Sequence, residues 1–259
     1  MGRPVRLERP PRRIVSLVPS QTELLADLGL DDEVVGLTRF CVHPEDWKGR
    51  KTVVGGTKTI NVPRLAGLAP DLVIANKEEN PRDEVEAVAE HAPVYVTDVA
   101  DVAGAVAMIR AVGRLVNRAD VAGRLADEVA AGFASLAPGP PLRALALIWR
   151  DPWMTVGGDT FVSDVMAHAG LDNVAADRER YPALSADEIG ALAPDVVLLT
   201  SEPYPFGERH LAETRALAPG ARVVLVDGEA FSWYGSRLCQ TPAVLRTLSA
   251  TLRSESGAT

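Results

Sequence analysis

Cysteine, aromatic residues and basic charge are all scarce in this chain of 259 residues. Its two cysteines, Cys41 and Cys239, are too few for a disulfide framework and lack the Cys-x-x-Cys spacing of a zinc or redox centre, so we expect both to be reduced. The formal net charge of -8 has the wrong sign for a nucleic-acid backbone or an anionic membrane surface. A membrane-spanning helix needs about 18 consecutive apolar residues, and no apolar run in the sequence approaches that length. We therefore expect no nucleic-acid partner and no membrane insertion.

Targeting features near the N-terminus and the common catalytic motifs are also missing from the sequence. The basic stretch before Ile14 is followed by no long apolar segment and no lipobox cysteine, which predicts a cytoplasmic protein as the sequence is written. A periplasmic or extracellular location is the alternative if the native start lies upstream of Met1. The sequence contains no P-loop, dinucleotide-binding glycine motif, nucleophile elbow or zinc-protease helix. We therefore expect no enzyme, no catalytic residues, and no resident metal or cofactor.

A repeated strand-turn-helix pattern organises the chain. An apolar run beginning at Ile14 leads into a helix whose start at Gln21 is predicted by the capping-box spacing of Ser20 and Glu23. Residues 26–31 are echoed by 167–172, and residues 68–73 by 192–197. This echo predicts duplicated α/β lobes, although a common helix-Pro-Asp-strand junction is an alternative explanation. We place the lobes at 1–101 and 142–259, with a helical segment at 102–141.

The helical segment connects the two predicted lobes. Its pattern breaks at residues 117–120, which predicts two helices rather than one. In the second helix, Val121, Leu125, Val129 and Phe133 recur every four residues and form one apolar face. A helix of some 17 residues reaches roughly 25 Å, which is long enough to join two lobes. Farther along the chain, Ser185 and Glu188 predict another capped helix start.

The few aromatic rings are concentrated after predicted strands. The sequence has four Trp, four Tyr and five Phe, and nine of these thirteen rings follow a strand. They are Phe40, Trp47, Trp149, Trp153, Tyr204, Phe206, Phe231, Trp233 and Tyr234. Because ligands bind beyond the carboxyl ends of parallel strands, these rings predict a cleft for a large, flat, partly apolar ligand. The alternative is that they anchor loops on the lobe surfaces. The loop at 40–47 is not expected to be core.

The four histidines do not form an evident metal centre. His91 and His168 end predicted helices, where a structural role suits them. His43 and His210 are placed where they could face the cleft, but two histidines without a third ligand make a poor zinc or iron site. We therefore predict no metal ligation by a set of protein atoms. We predict that His43 makes a polar contact with the ligand, or an axial contact to a metal already held in a macrocycle.

A family resemblance follows from three features taken together. The segment RIVSLVPSQTE at 13–23, the Ala-Pro-Asp-Leu-Val junction at 69–73, and two α/β lobes joined by a long helix resemble the substrate-binding proteins of cobalamin and iron-siderophore ABC transporters. These form the helical-backbone metal receptor superfamily, and the resemblance extends from about Arg12 to Leu252. It implies two Rossmann-like lobes with mostly parallel sheets, joined by a long rigid helix, with a ligand cleft between them. It also implies non-catalytic binding of a metal chelate, and we expect a monomer. An ABC permease is the partner if the native start lies upstream, whereas the cytoplasmic protein that we favour binds its ligand without a transporter.

The resemblance and the ring positions together name candidate site residues. The turn formed by Pro19, Ser20, Gln21 and Thr22 is implied to line the cleft, with backbone N–H groups facing the ligand. The other predicted ligand contacts are Phe40, His43, Trp149, Trp153, Tyr204, Trp233, Tyr234 and Arg237. The rings would stack on the ligand, and Arg237 would bind its carboxylate or phosphate groups.

Two further roles remain open from the sequence. Glu78 or Glu79, with Glu79 preferred, and Glu202 lie where family members dock on a permease; ordinary solvated loop charge is the alternative for both. The ligand is predicted to be a cobalamin-type corrinoid, a haem-like chelate or a ferric siderophore. A metal- or tetrapyrrole-dependent enzyme on the same two-lobed plan and an intracellular sensor or carrier are the alternatives in function.

Overall fold

The computed structural model describes residues 5–254, which form two compact units, each with its own β-sheet. Unit 1 contains the chain up to Val99 together with Ala103–Val129 and Tyr234–Arg237. Unit 2 contains Ala100–Val102, Ala130–Trp233 and the chain from Leu238 onward. The domain boundaries predicted at 101 and 141 stay predictions. Among residues 5–254, no helix combines the length and the apolar character needed to cross a bilayer.

Unit 1 is built on a parallel sheet with the strand order β3-β2-β1-β4-β5. Its strands are β1 (Ile14–Ser16), β2 (Val34–Leu37), β3 (Thr52–Val53), β4 (Leu72–Asn76) and β5 (Val94–Thr97). The associated helices are α1 (Pro19–Asp27), α2 (Trp47–Arg50), α3 (Val62–Ala66), α4 (Arg82–Ala89), α5 (Val102–Leu115) and α6 (Ala119–Ala134). Every residue of β1 and β4 is buried, as expected for central strands of a parallel sheet covered on both faces.

Unit 2 has a mixed sheet with the order β11-β10-β6-β7-β9, and β8 also pairs with β6. Its strands are β6 (Leu142–Trp149), β7 (Trp153–Thr155), β8 (Leu171–Asn173), β9 (Ala183–Leu184), β10 (Val196–Thr200) and β11 (Arg222–Val226). Its helices are α7 (Phe161–His168), α8 (Ala186–Ala191), α9 (Leu211–Leu217), α10 (Gly228–Ser232) and α11 (Thr241–Ser254). Strands β8, β6, β10 and β11 pair in parallel, whereas β7 and β9 are antiparallel. The predicted α/β fold with mostly parallel sheets is therefore confirmed.

The internal echo in the sequence corresponds to repeated backbone geometry. The order β2-β1-β4-β5 in unit 1 matches β8-β6-β10-β11 in unit 2. Gly29 and Gly170 end the matching helices with the same φ of 73°. Ala69 and Ala193, at the matching Pro-Asp junctions, have φ of 44° and 42°. Two alanines in a region that L-residues rarely adopt show that the repeat extends to local conformation.

The Pro-Asp junction also repeats its hydrogen bonds. In unit 1, Asp71 accepts backbone N–H groups of Arg12 and Arg13 at 2.8 Å each, and Arg13 Nε donates to Leu68 O at 2.7 Å. In unit 2, Asp195 accepts the N–H of Arg143 at 2.9 Å, and Arg143 Nη2 donates to Leu192 O at 2.7 Å. In each unit these bonds join the start of the central strand to the loop that enters the neighbouring strand.

Two local predictions about unit 1 are wrong. Helix α1 begins at Pro19 with Val18 as N-cap and no side-chain cap, rather than with a Ser20–Glu23 capping box. Proline already suits the first helical position, and the Glu23 carboxylate is bound by Arg237 instead. The loop at 40–47 was expected to lie outside the core, but Trp47 is buried and starts α2. The centroid of its ring lies 5.1 Å from Lys51 Nζ. The capping box of Ser185 and Glu188 is confirmed.

The helical segment forms two helices, α5 and α6, as predicted. The most buried face of α6 is formed by Ala122, Ala126, Val129 and Phe133. The predicted positions Val121 and Leu125 are only half-buried, because a spacing of four, three and four follows the helical period better than a uniform spacing of four. Helix α6 belongs to unit 1 up to Val129 and to unit 2 from Ala130 onward.

The positive φ of Gly29 leads to a test of the repeated helix stop. A Cβ at Gly29 would meet no atom within 4 Å, so Gly29→Ala introduces conformational strain without a clash. We expect it to lower the free energy of unfolding by about 1 kcal/mol, measured by urea denaturation. The matched control is Gly49→Ala in α2, which also has open space but no positive φ, and it should be neutral or slightly stabilising. Equal effects of the two substitutions would contradict this interpretation.

Candidate functional site

The turn after β1 places polar side chains inside unit 1. Thr22 is fully buried, and its Oγ1 lies 2.8 Å from Ser16 Oγ and 3.0 Å from Cys41 Sγ. Gln21 is also buried, and its Nε2 donates to Thr97 Oγ1. The side chains of these two predicted site residues therefore stabilise the carboxyl end of the sheet. Any ligand contact by this turn depends on backbone N–H groups, as the sequence predicts, and it stays a prediction together with the roles of Pro19 and Ser20.

Arg237 and Glu23 form a bidentate ion pair within unit 1. Arg237 Nε and Nη2 lie 3.0 and 2.5 Å from the two carboxylate oxygens, and both side chains are only about 15% exposed. Burial raises the pKa of Glu23, while Arg237 and, more weakly, His43 oppose the rise. Arg237, predicted to bind a ligand anion, is thus already engaged by a carboxylate.

The segment Tyr234–Arg237 lies very close to the start of α1. A Cβ at Gly235 would lie 2.7 Å from the carbonyl oxygen of Ser20, so only glycine fits there. Tyr234, another predicted contact, is 5% exposed. The half-buried His43 is near enough to Glu23 to influence its pKa. The structure therefore brings His43, Glu23 and Arg237 together at the carboxyl end of the unit 1 sheet.

Phe40 is the exposed ring of unit 1. It follows β2, is 53% exposed, and its ring centroid lies 5.5 Å from the guanidinium carbon of Arg39. A Cβ at Gly56 would come within 2.8 Å of Arg39 Nη2 and 3.1 Å of Phe40 Cε2. Arg39 is not among the residues predicted from sequence. Its position directly before an aromatic residue at the end of a strand could have indicated it.

Trp149 is the exposed ring of unit 2. It ends β6, is 40% exposed, and meets Tyr204 edge-to-face with centroids 5.5 Å apart. Tyr204 contacts Phe206 at 4.7 Å, and Trp153 stacks on Phe206 at 6.1 Å with an interplanar angle of 4°. Tyr204 and Trp153 are half-buried. Tyr204 therefore supports Trp149 directly, and Trp153 packs on Phe206, which in turn contacts Tyr204.

The histidines and Arg150 complete the surroundings of this ring cluster. His210 is buried, packs against Tyr204 and Phe206, and its Nδ1 accepts the N–H of Gly207 at 3.0 Å. Arg150 binds Glu213 with two bonds of 2.9 and 2.8 Å, which lowers the pKa of that carboxyl. His210 therefore has a structural place in the cluster. In α7, His168 lies edge-on to Phe133 with centroids 5.0 Å apart, in keeping with its predicted structural role.

The two predicted docking carboxylates are both half-buried rather than fully solvated. Glu202 Oε2 accepts the indole N–H of Trp233 at 2.8 Å, and Trp233 itself is only 5% exposed. Burial raises the pKa of Glu79; the neighbouring Glu78 adds to the rise and Lys58 opposes it. Trp233, predicted to stack on a ligand, is instead fixed among protein groups, and the docking roles of Glu79 and Glu202 stay predictions.

The described residues contain no group of side chains arranged as a metal site, and two surface depressions lie away from the predicted site residues. Between residues 5 and 254, no three His, Cys, Asp or Glu side chains are grouped so that they could hold a metal ion. Two open depressions of about 350 and 440 Å³ lie on unit 2. Neither is lined by any of the predicted site residues.

Comparison with known proteins decides the family. The periplasmic binding protein family model matches residues 14–219. The chain belongs to this family. Among curated relatives, an uncharacterized ABC transporter substrate-binding lipoprotein, YvrC of Bacillus subtilis, is 28% identical over 76% of the chain. A vitamin B12-binding protein of Yersinia pestis is 26% identical over 73% of the chain and 69% of its own length.

Coverage and structural likeness define how far the comparison reaches. The chain spans 66% of the length of YvrC, just under two thirds. The crystal structure of the periplasmic vitamin B12 binding protein BtuF of Vibrio cholerae superposes with a TM-score of 0.81, at 21% identity, over 94% of this chain and 98% of BtuF. The chain therefore shares the two-lobed fold of BtuF over nearly its whole length.

The bond between Trp233 and Glu202 can be measured by a double-mutant cycle. Trp233→Phe removes the indole donor, and Glu202→Ala removes the acceptor. We expect a coupling energy of about 1 to 2 kcal/mol between the two substitutions in urea unfolding, because hydrogen bonds to charged groups exceed neutral ones. Additive effects of the two substitutions would show that the bond contributes nothing to stability.

The raised pKa of Glu79 predicts a pH dependence of stability. Between the ordinary pKa of an unfolded glutamate and the raised pKa of Glu79, the folded state holds more protons, so stability falls as pH rises through this window. Glu79→Gln removes that fall, and the variant should gain stability relative to the native chain as pH increases from about 4 to 7. Glu90→Gln, at an exposed position, is the charge-matched control. A constant difference across this pH range would refute the assignment.

Proposed function

We propose that this protein is a non-catalytic receptor for a metal chelate of corrinoid, haem-like or ferric siderophore type. The observation that carries the proposal is the pair of exposed rings, Phe40 and Trp149, each at the carboxyl end of a strand in its own unit. Exposed aromatic faces that are held in place by neighbouring side chains suit the binding of flat, partly apolar ligands. The vitamin B12-binding relative of Yersinia pestis supports the same ligand class.

The metal in this proposal arrives inside its own chelator and is cargo, not a resident cofactor. His43 is the side chain we assign as a polar or single axial contact. The rival proposal, a tetrapyrrole-dependent enzyme, requires a general base or a ligand set that faces the bound molecule. Recovery of the chelate unchanged after prolonged incubation would favour the receptor.

Transport is the role we propose for the receptor, with an ABC permease as partner and Glu79 and Glu202 as docking carboxylates. The ABC transporter substrate-binding relative supports this partner. The predicted compartments distinguish two versions of the proposal, since only an exported receptor meets a permease from outside. A cytoplasmic form would instead act as a sensor or carrier. Fractionation of cells that express the gene from its own locus, followed by detection of the protein, decides between them.

The ring assignment predicts a clear difference between exposed aromatic and exposed aliphatic positions. With haem, cyanocobalamin and ferrichrome as probes, we expect at least one to quench tryptophan fluorescence in a saturable titration. Phe40→Ala and Trp149→Ala should each weaken that binding by about 1 to 3 kcal/mol, as truncation of central aromatic contacts does. Leu225→Ala is the control, because Leu225 is equally exposed but lies on the edge strand β11.

Two outcomes would count against the ring assignment. Unchanged affinity of both ring variants would remove Phe40 and Trp149 from the site while leaving chelate binding intact. The absence of any saturable response to the three probes would contradict the ligand class itself.

A further inference from the structure

The cations near the carboxyl ends of the strands are mostly neutralised by carboxylates. Lys77, after β4, pairs with Asp98 at 2.6 Å. Arg150, after β6, pairs with Glu213 at 2.8 Å, and Arg237 pairs with Glu23 at 2.5 Å. An arginine held by two bonds to a carboxylate has its planar fork already occupied and offers little to a ligand anion.

Arg39 is different from these cations. It follows β2, is exposed, and among residues 5–254 no carboxylate pairs with its guanidinium group. Its side chain instead lies beside the exposed ring of Phe40, with 5.5 Å between the guanidinium carbon and the ring centroid. An exposed cation beside an exposed ring presents an anion-binding edge and an apolar face at one place.

The backbone holds this cation and ring in position. The N–H of Arg39 donates to the carbonyl oxygen of Gly55 at 2.8 Å, which fixes residue 39 on the turn formed by Gly55 and Gly56. The side chains of Arg39 and Phe40 both pack so closely on Gly56 that a Cβ there would lie 2.8 Å and 3.1 Å from them. The pair is therefore a positioned feature of unit 1 rather than a chance neighbour on a loose loop.

We infer that Arg39 selects chelates that carry an ionised carboxylate on the edge that meets Phe40. This inference rests on the proposed receptor function and narrows its ligand class. Haem carries two propionates at the porphyrin edge, whereas the corrin ring of cobalamin carries neutral amides. A guanidinium group binds a carboxylate through two parallel charged hydrogen bonds, which an amide edge cannot reproduce. The phosphate of cobalamin lies on its nucleotide loop and not on the ring edge, so Arg39 beside Phe40 favours a macrocycle with carboxylates on its edge over a corrinoid.

The test compares one macrocycle with and without its charges. The native chain, Arg39→Gln and Arg39→Lys are titrated with haem, with haem dimethyl ester and with cyanocobalamin. Arg114→Gln, which removes an exposed arginine of α5, is the control for net charge. We expect the native chain to bind haem about tenfold more tightly than the ester, a difference typical of a charged hydrogen-bonded contact.

The variants show whether Arg39 is the source of this preference. Arg39→Gln should weaken haem binding about tenfold and leave the ester unchanged, and Arg39→Lys should fall between the two because it keeps charge without the fork. Equal binding of haem and ester, a preference for cyanocobalamin, or an Arg39→Gln variant with native haem affinity each overturns this inference and leaves the receptor standing. If the native chain binds none of the three probes, the inference falls together with the corrinoid and haem-like ligands of the proposed function.

Discussion

Two aspartates, Asp71 and Asp195, tie together the strands on which each unit is built. Each accepts backbone N–H bonds from the start of the central strand and stands at the entry of the next strand. An arginine from the same central strand closes the junction by binding the carbonyl of the leucine that precedes the Pro-Asp turn. These bonds stabilise the alignment of β1 with β4 and of β6 with β10. The positions of Trp149 and of the polar residues that follow these strands depend on that alignment.

The repeat could be predicted from sequence because its geometry depends on a few residues with strong local preferences. Gly29 and Gly170 end helices where φ must be positive, and the Leu-Ala-Pro-Asp pattern marks the junction in both units. The Ser185 capping box formed as predicted, whereas the same spacing at Ser20 did not produce one. Local spacing could not reveal that Glu23 is bound by Arg237, a partner more than two hundred positions later in the chain. Tertiary contacts of this kind override local signals.

The candidate site was less predictable than the fold. Position after a strand located the aromatic rings along the chain, but it could not separate exposed rings from buried ones. Trp47 and Trp233 are enclosed by protein groups, and Phe40 and Trp149 are not. Arg39 was overlooked because an isolated arginine is ordinary in a sequence. It becomes informative only once Lys77, Arg150 and Arg237, which also lie near strand ends, are seen to be paired with carboxylates.

The segment Tyr234–Arg237 has a consequence for the order in which the molecule is assembled. The chain belongs to unit 2 up to Trp233, joins unit 1 for four residues, and belongs to unit 2 again from Leu238. Unit 1 therefore gains the partner of Glu23 only after nearly all of unit 2 has been synthesised. During synthesis from the N-terminus, α1 cannot make its contacts with Gly235 and Arg237 until these residues, close to the other end of the chain, have been added. Completion of the first unit is in this way a late event, coupled to the completion of the second.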